Sequence, residues 1–81
     1  MFYIYILQSR ENKKLYRGLT ADLKKRLREH NEGKARSTKN YLPWDLIYYE
    51  AFVSKKDARR EELFLKSGKG RERLKYLFSD N

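Results

Sequence analysis

Residues 2–8 are almost all apolar or aromatic, and alternation in an extended strand would divide them between two faces. Because both faces are apolar, this segment predicts a central strand that is covered on both sides. A short polar turn separates it from a second strand-like run at 14–18, which favours a β-hairpin. This pairing would bring the phenols of Tyr5 and Tyr16 together, which indicates a polar site. A glycine at position 18 would allow close approach of another group.

The pattern then changes to a helical period. Leu23 and Leu27 lie one turn apart, Thr20 is a good N-cap and Gly33 is a good terminator, so a helix is predicted over 21–32.

Arg26 and His30 fall within the same arc of about 100° as the two leucines of this helix. An arginine and a histidine on this inward flank can reach a site on the sheet. The alternatives are an Arg26 that lies along the surface with its stem buried, and a His30 that simply ends the helix. The pattern leaves both readings open.

A polar, basic loop follows at 33–43, and Pro43 precedes a third strand at 45–52. Cations without an acidic neighbour, together with hydroxyl groups, suit contact with phosphate; the alternative is a solvated connector. The candidate phosphate-binding residues are Lys34, Arg36, Ser37, Thr38 and Lys39. In the third strand, the expected faces are Leu46, Tyr48 and Phe52 on one side and Ile47, Tyr49 and Ala51 on the other.

Two further helices are predicted at 55–66 and 70–78, and the last two residues are expected to fray. In the first of these helices, Glu61 projects into the apolar stripe and has no basic residue at helical spacing. A carboxylate there requires a cation, such as a metal ion or the site arginine; the alternative is a partly exposed Glu61. Glu62 has basic residues at helical spacing and is predicted to be an ordinary surface ion-pair residue.

Charge and composition narrow the function classes. Lysine and arginine number 20 against 11 acidic residues, a net charge of +9, which favours nucleic acid over a lysine-rich but inert surface. The absence of cysteine excludes disulfides and suits a reducing cytoplasm, and a single histidine excludes a multi-histidine metal centre. No apolar run has the length of a membrane span, and no signal peptide is expected. The 81 residues predict one domain, 1–81.

These residue types can support one reaction class. One carboxylate can hold one hydrated Mg²⁺ or Mn²⁺ ion, one arginine can stabilise a pentacovalent phosphate, and a phenol can position or deprotonate water. Together they are sufficient for phosphodiester hydrolysis with a single metal ion.

Four short motifs, in this order and spacing, resemble the GIY-YIG nuclease superfamily, in particular its small stand-alone members and the nuclease domain of the excinuclease C subunit. The motifs are Tyr3-Ile4-Tyr5, Tyr16-Arg17-Gly18, the segment from Asp22 to Arg26 with His30, and Arg60-Glu61 followed by Phe64-Leu65-Lys66. The resemblance implies an α/β (α+β) fold, a three-stranded antiparallel sheet flanked by about three helices, and one divalent metal ion.

The resemblance also implies residue roles. The matching positions are Tyr5 and Tyr16 for the two motif tyrosines, Gly18 for the second-motif glycine, Arg26 for the catalytic arginine, His30 for the His-or-Tyr position, and Glu61 for the metal-binding glutamate. Tyr3 replaces the first-motif glycine, as is usual in the small members. Arg17 stands where an aliphatic or small residue is more common, and it would affect metal binding if it pointed at the active centre.

The expected function is therefore a metal-dependent endonuclease that hydrolyses DNA in repair or recombination, acting as a monomer or weak homodimer. DNA is favoured over RNA, and the sequence leaves open which tyrosine acts as the base. The alternative is a non-catalytic nucleic-acid-binding module with the same fold. A third reading is an interaction domain whose basic face binds an acidic protein.

Overall fold

A three-stranded antiparallel sheet carries the helices in the computed structural model, which describes residues 1–78. The elements are β1 (Phe2–Ser9), β2 (Leu15–Thr20), α1 (Leu23–Asn31), β3 (Trp44–Phe52), α2 (Lys55–Leu65) and α3 (Gly68–Leu77), with a short 3₁₀ helix at Lys39–Tyr41. The predicted α+β class, its three strands and its three helices are confirmed. The predicted frayed end, Asp80 and Asn81, lies outside the described residues.

β1 is the central strand, in the order β2-β1-β3, because both of its faces are apolar. Tyr5 lies opposite Gly18 of β2 on one side and opposite Tyr49 of β3 on the other. The strand register alone thus brings the two tyrosines and the glycine to one level of the sheet.

A shift in register between Ile6 and Leu7 changes the faces of β3. Ile6 lies opposite Tyr48, but Leu7 lies opposite Leu46, so Ile47 is the extra residue of a bulge. Leu46 therefore packs in the cluster of Tyr5 and Leu7, whereas Ile47 packs on the other face with Tyr48. The predicted faces of Leu46 and Ile47 were wrong, because strict alternation does not anticipate a bulge.

The two faces of the sheet support separate apolar clusters. α2 and α3 cover Ile4 and Ile6 with Ala58, Leu65 and Leu74. On the other face, leucines of α1 and residues of the following loop pack around Tyr5, Leu7 and Trp44. The candidate site residues on β1, β2 and α1 lie in this second layer.

The start of α1 differs from the prediction. Asp22, not Thr20, is the N-cap, since its side chain accepts a hydrogen bond from the Lys25 amide at 3.1 Å. Thr20 is still paired in β2, and its hydroxyl accepts from the Asp22 amide at 3.1 Å. The helix therefore begins at Leu23. Its end agrees with the prediction, because Gly33 adopts a positive φ of 76° just beyond it.

α2 and α3 form a tight corner. Ser54 caps α2 by accepting from the Asp57 amide at 3.3 Å, and Ser67 caps α3 by accepting from the Gly70 amide at 3.2 Å. Gly70 lies directly against the α2 backbone, where a Cβ atom would collide with Phe64 O and Leu65 Cα. Within residues 1–78, no helix is long and apolar enough to cross a membrane.

We expect Gly70→Ala to lower the free energy of unfolding by about 1–3 kcal/mol, because backbone atoms of α2 must move to admit the methyl group. Gly68→Ala is the matched control on the same helix, since nothing lies within 4 Å of its Cβ position. Urea unfolding of both variants measures the difference. Equal stabilities would mean that the two helices do not approach as closely as described.

Candidate active site

Tyr5 is the centre of the candidate site, although it is almost fully buried, with 2% of its surface exposed. Its hydroxyl lies 2.9 Å from Nε2 of His30. The phenol lies over Gly18, where any Cβ atom would overlap the ring. The glycine therefore makes the space that the tyrosine occupies, as expected for a position of close approach.

His30 continues a buried hydrogen-bond chain away from Tyr5. Its Nδ1 lies 2.7 Å from the hydroxyl of Thr38, and this hydroxyl donates to the Ala35 carbonyl at 3.4 Å. With its proton directed at Ala35, the Thr38 oxygen accepts from Nδ1–H, which leaves Nε2 to accept from the Tyr5 hydroxyl. Every donor in the chain points in the same direction, from Tyr5 towards Ala35.

The imidazole of His30 is neutral at physiological pH. Burial lowers its pKa from 6.5 to about 4, and the positive charge of Arg26 acts in the same direction. The side chain has no exposed surface, so it cannot contact a substrate directly. Because His30 lies between the hydroxyl groups of Tyr5 and Thr38, it is suited to orienting the Tyr5 side chain.

Tyr16 adds a second phenol beside this chain. Its ring centroid lies 5.0 Å from that of His30 and 6.4 Å from those of Tyr5 and Trp44. Unlike Tyr5, it is only partly buried. Trp44 completes the packing and donates from its indole nitrogen to the Thr38 carbonyl at 2.8 Å.

Arg26 lies at the boundary between this aromatic cluster and solvent. Its side chain is 36% exposed and forms an ion pair with Glu29 at 3.2 Å. Interaction with the Tyr5 phenol is the main reason that the pKa of Arg26 is raised. Burial raises the pKa of the Tyr5 phenol, and the same contact with Arg26 partly offsets that rise. The guanidinium thus contacts the buried chain at one side and remains accessible to an anion.

Glu62 is the carboxylate of α2 that is buried, with 9% of its surface exposed. It has two basic neighbours, Lys66 at 3.4 Å and Arg59 at 3.9 Å. It lines a cavity of about 360 Å³ together with Thr20 and other residues at the end of β2. Its negative charge also contributes to the raised pKa of Tyr5. The predicted ion pairs of Glu62 with Arg59 and Lys66 are confirmed, but the prediction that Glu62 lies on the surface was wrong.

Glu61 faces elsewhere. It accepts a hydrogen bond from Arg73 of α3 at 3.0 Å and interacts with Glu50 of β3, whose pKa is raised first by burial and then by Glu61. The cation that the sequence required here was expected to be a metal ion or the site arginine, but it is Arg73, which comes from a different helix and cannot be found from spacing within α2. The buried side of α2 is Ala58, Glu62 and Leu65. Their spacing of four and three residues is a helical signal that the sequence contained.

Four of the five residues in the predicted phosphate-binding loop are exposed, and one is buried. Arg36, Ser37 and Lys39 are exposed. Thr38 is fully buried on His30, so its predicted contact with phosphate was wrong. Lys34 is exposed but pairs with Glu32 at 3.0 Å, against the expectation that it has no acidic neighbour.

Asn31 and Trp44 are the residues that the sequence reasoning missed. The Asn31 side chain accepts from the Trp44 amide at 2.7 Å and donates to the Trp44 carbonyl at 3.0 Å. This pair fixes the end of α1, and hence His30, against the start of β3. No pattern in the sequence signals it, since the two residues are separated by 13 positions.

Arg17 of the second motif does not face the candidate site. It lies between Tyr16 and Gly18 on β2, and its side chain lines a cavity with Arg71 and Leu74 of α3 on the opposite face of the sheet. Strand alternation separates it from the phenols.

The residues present fit one hard divalent cation. Within residues 1–78, no group of three or more His, Cys, Asp or Glu side chains is placed to hold a metal ion. The single buried carboxylate of Glu62 suits a Mg²⁺-like ion, which keeps several waters and shares phosphate oxygens with its substrate.

The chain is similar to several known proteins. Residues 1–75 match the family model of the GIY-YIG catalytic domain. UPF0213 proteins of Streptococcus pyogenes serotypes M5 and M2 are each 47% identical over 77 residues, which is 93% of this chain and 83% of the relative. The solution NMR structure of the UPF0213 protein BH0048 from Bacillus halodurans is similar, with a TM-score of 0.58, 35% identity, and coverage of 96% of this chain and 86% of that chain.

We expect acidification to destabilise the protein through His30. On unfolding, the imidazole regains a pKa near 6.5, so between this value and about 4 the unfolded chain binds more protons than the folded one. The free energy of unfolding should therefore fall by about 1–3 kcal/mol as the pH is lowered through this range. His30→Gln removes the only histidine of the chain, so the difference in stability between it and the unmodified protein should shrink with acidification. Parallel stability curves from urea titrations would contradict a buried, neutral His30.

Proposed function

Because the chain belongs to the GIY-YIG nuclease family, we propose that it is a metal-dependent endonuclease that hydrolyses phosphodiester bonds in DNA. The observation that carries this proposal is the chain Tyr5–His30–Thr38 with Arg26 at its accessible end. A partly exposed phenol, Tyr16, and a buried carboxylate, Glu62, flank it.

Arg26 acts on the scissile phosphate. A guanidinium suits a phosphate oxygen in geometry and charge. As negative charge increases in the pentacovalent transition state, this interaction becomes stronger, which lowers the barrier rather than merely improving binding.

The buried chain orients Arg26. Because the Tyr5 hydroxyl donates its hydrogen bond to Nε2 of His30, the lone pairs of the Tyr5 oxygen are free to accept a hydrogen bond from the guanidinium. A neutral imidazole is required for this direction, and the lowered pKa of His30 maintains it at neutral pH. Tyr5 and His30 are thus positioning residues in this proposal.

Tyr16 is the phenol that we assign to the attacking water, because it is the less buried of the two tyrosines. Its hydroxyl can hold the water in line with the phosphorus atom by accepting a hydrogen bond from it. The family resemblance did not distinguish between Tyr5 and Tyr16; burial favours this division of roles.

Glu62, in place of Glu61, is the residue that would hold a Mg²⁺ or Mn²⁺ ion. Glu62 lines the cavity at the end of β2, whereas Glu61 lies elsewhere and pairs with Arg73 of α3. When bound, such an ion would neutralise charge on the phosphate and acidify a bound water.

The exposed cations of the loop after α1, Arg36 and Lys39, would contact the DNA backbone without reading its sequence. Incubation with nicked, branched and single-stranded DNA in Mg²⁺, Mn²⁺ or EDTA tests the proposal. Cleavage that requires a divalent ion supports it. Binding without cleavage in either metal would favour a non-catalytic nucleic-acid-binding module.

Arg26→Ala should lower the single-turnover cleavage rate by a factor on the order of 10²–10³, with a much smaller effect on DNA affinity. Arg28→Ala is the matched control, since Arg28 is an exposed cation on the same helix. It should change only the salt dependence of binding slightly. Equal rates for the two variants would reduce Arg26 to one of many surface cations.

Glu62→Gln should abolish metal-dependent cleavage, because the amide keeps the size of the side chain but loses the charge that attracts a divalent ion. Glu61→Gln, one residue earlier, should retain cleavage and lose only its ion pair with Arg73. Circular dichroism verifies that both variants are folded. Activity that survives in Glu62→Gln but not in Glu61→Gln would restore Glu61 as the metal ligand.

A further inference from the structure

An open cavity of about 430 Å³ lies between β2 and α3, on the face of the sheet opposite the candidate active site. It is lined by Leu15, Arg17, Arg71, Leu74, Lys75 and Phe78. Three of these residues are cations, three are apolar and none is acidic. The apolar residues form a surface against which the stem of Arg17 can lie while its charged end remains in the cavity.

Arg17 has an unsatisfied donor next to this cavity. Its Nε atom is buried and has no hydrogen-bond partner among residues 1–78. A buried donor without an acceptor is unfavourable, and such groups are rare in folded proteins. The charge of Arg71 adds to the cost, since burial and this second arginine both lower the pKa of Arg17.

The cations that line this cavity differ from the nearby arginines of α2 and α3 in their ion pairing. Arg59, Arg60 and Arg73 each form an ion pair with a carboxylate of α2. Within the described part of the chain, Arg17, Arg71 and Lys75 form none. The local excess of positive charge is therefore unneutralised at a place where a guanidinium donor is buried without a partner among residues 1–78.

We propose that this cavity binds a phosphate group. A phosphate group there would accept hydrogen bonds from the guanidinium groups that line the cavity and would neutralise the repulsion between the two arginines. Lys75 adds a third charge at the rim. The phosphate could belong to a nucleic-acid backbone that passes the β2 edge of the sheet, or to a small phosphorylated molecule; the chemistry of recognition is the same.

Position 17 departs from the GIY-YIG pattern described above, in which the middle residue of the second motif is commonly aliphatic or small. Such a residue would offer no hydrogen-bond donor to the cavity. The proposed phosphate site depends on a residue that the proposed nuclease mechanism does not use. Its test is therefore independent of that mechanism.

Nitrogen-15 NMR of the arginine Nε–H groups, titrated with inorganic phosphate, tests the proposal. We expect a saturable shift of the Arg17 resonance that sodium chloride at equal ionic strength does not reproduce. Arg17→Leu should weaken phosphate binding about 10–100-fold, as expected for the loss of a charge-assisted hydrogen bond. Lys69→Ala, which removes an exposed α3 cation outside the cavity, should leave binding unchanged.

Arg71→Ala provides a second variant should Arg17→Leu fail to fold, and it should also weaken binding. A DNA oligonucleotide then distinguishes the two sources. Displacement of phosphate by DNA identifies the ligand as a backbone phosphate, and persistence of phosphate in saturating DNA identifies a small molecule. A shift of Arg17 with DNA alone also supports a backbone phosphate. No response of Arg17 to either ligand, or equal affinity in the variants and the control, would overturn the proposal.

Discussion

The hydrogen bond between Tyr5 and His30 is the interaction on which the candidate site depends. It is buried, so neither partner can exchange the other for water, and an unmade bond there would leave two polar groups unsatisfied. Three separate features serve it. Gly18 makes room for the phenol, Thr38 orients the imidazole, and Asn31 fixes the end of α1. A surface arginine, Arg26, thereby acquires a defined position although its own helix is short and largely exposed.

The sheet divides the molecule into two layers with different chemistry. The face of β1 that carries Tyr5 holds the aromatic cluster with its polar chain, whereas the face of Ile4 and Ile6 supports an ordinary apolar core under α2 and α3. Because side chains alternate between the two faces along β2, Tyr16 lies on the face of Tyr5 and Arg17 lies on the face covered by α2 and α3. The proposed active site and the proposed phosphate-binding cavity therefore lie on opposite faces of the sheet, although each includes one of two consecutive residues.

Glu61 and Glu62 show how a rotation of one helix can exchange two neighbouring carboxylates. They are about 100° apart on α2, so only one can face the end of β2. Arg73 of α3 pairs with Glu61, and Ala58 and Leu65 define the buried side that includes Glu62. The pairing of Glu61 across the helical corner and the burial of Glu62 are consistent with each other, since both follow from the same orientation of α2.

The sequence by itself determined the elements, the antiparallel hairpin, the central place of β1, the family and the positions of Tyr5, Tyr16 and His30 on facing elements. These depend on local periodicity, turn residues and short motifs, which a chain carries without its tertiary contacts. Tertiary structure decided the bulge at Ile47, the cap at Asp22, the burial of Thr38 and the choice between Glu61 and Glu62. Each of these depends on a partner outside the element concerned, such as Leu7, β1, His30 or Arg73, and spacing within one element contains no information about such a partner.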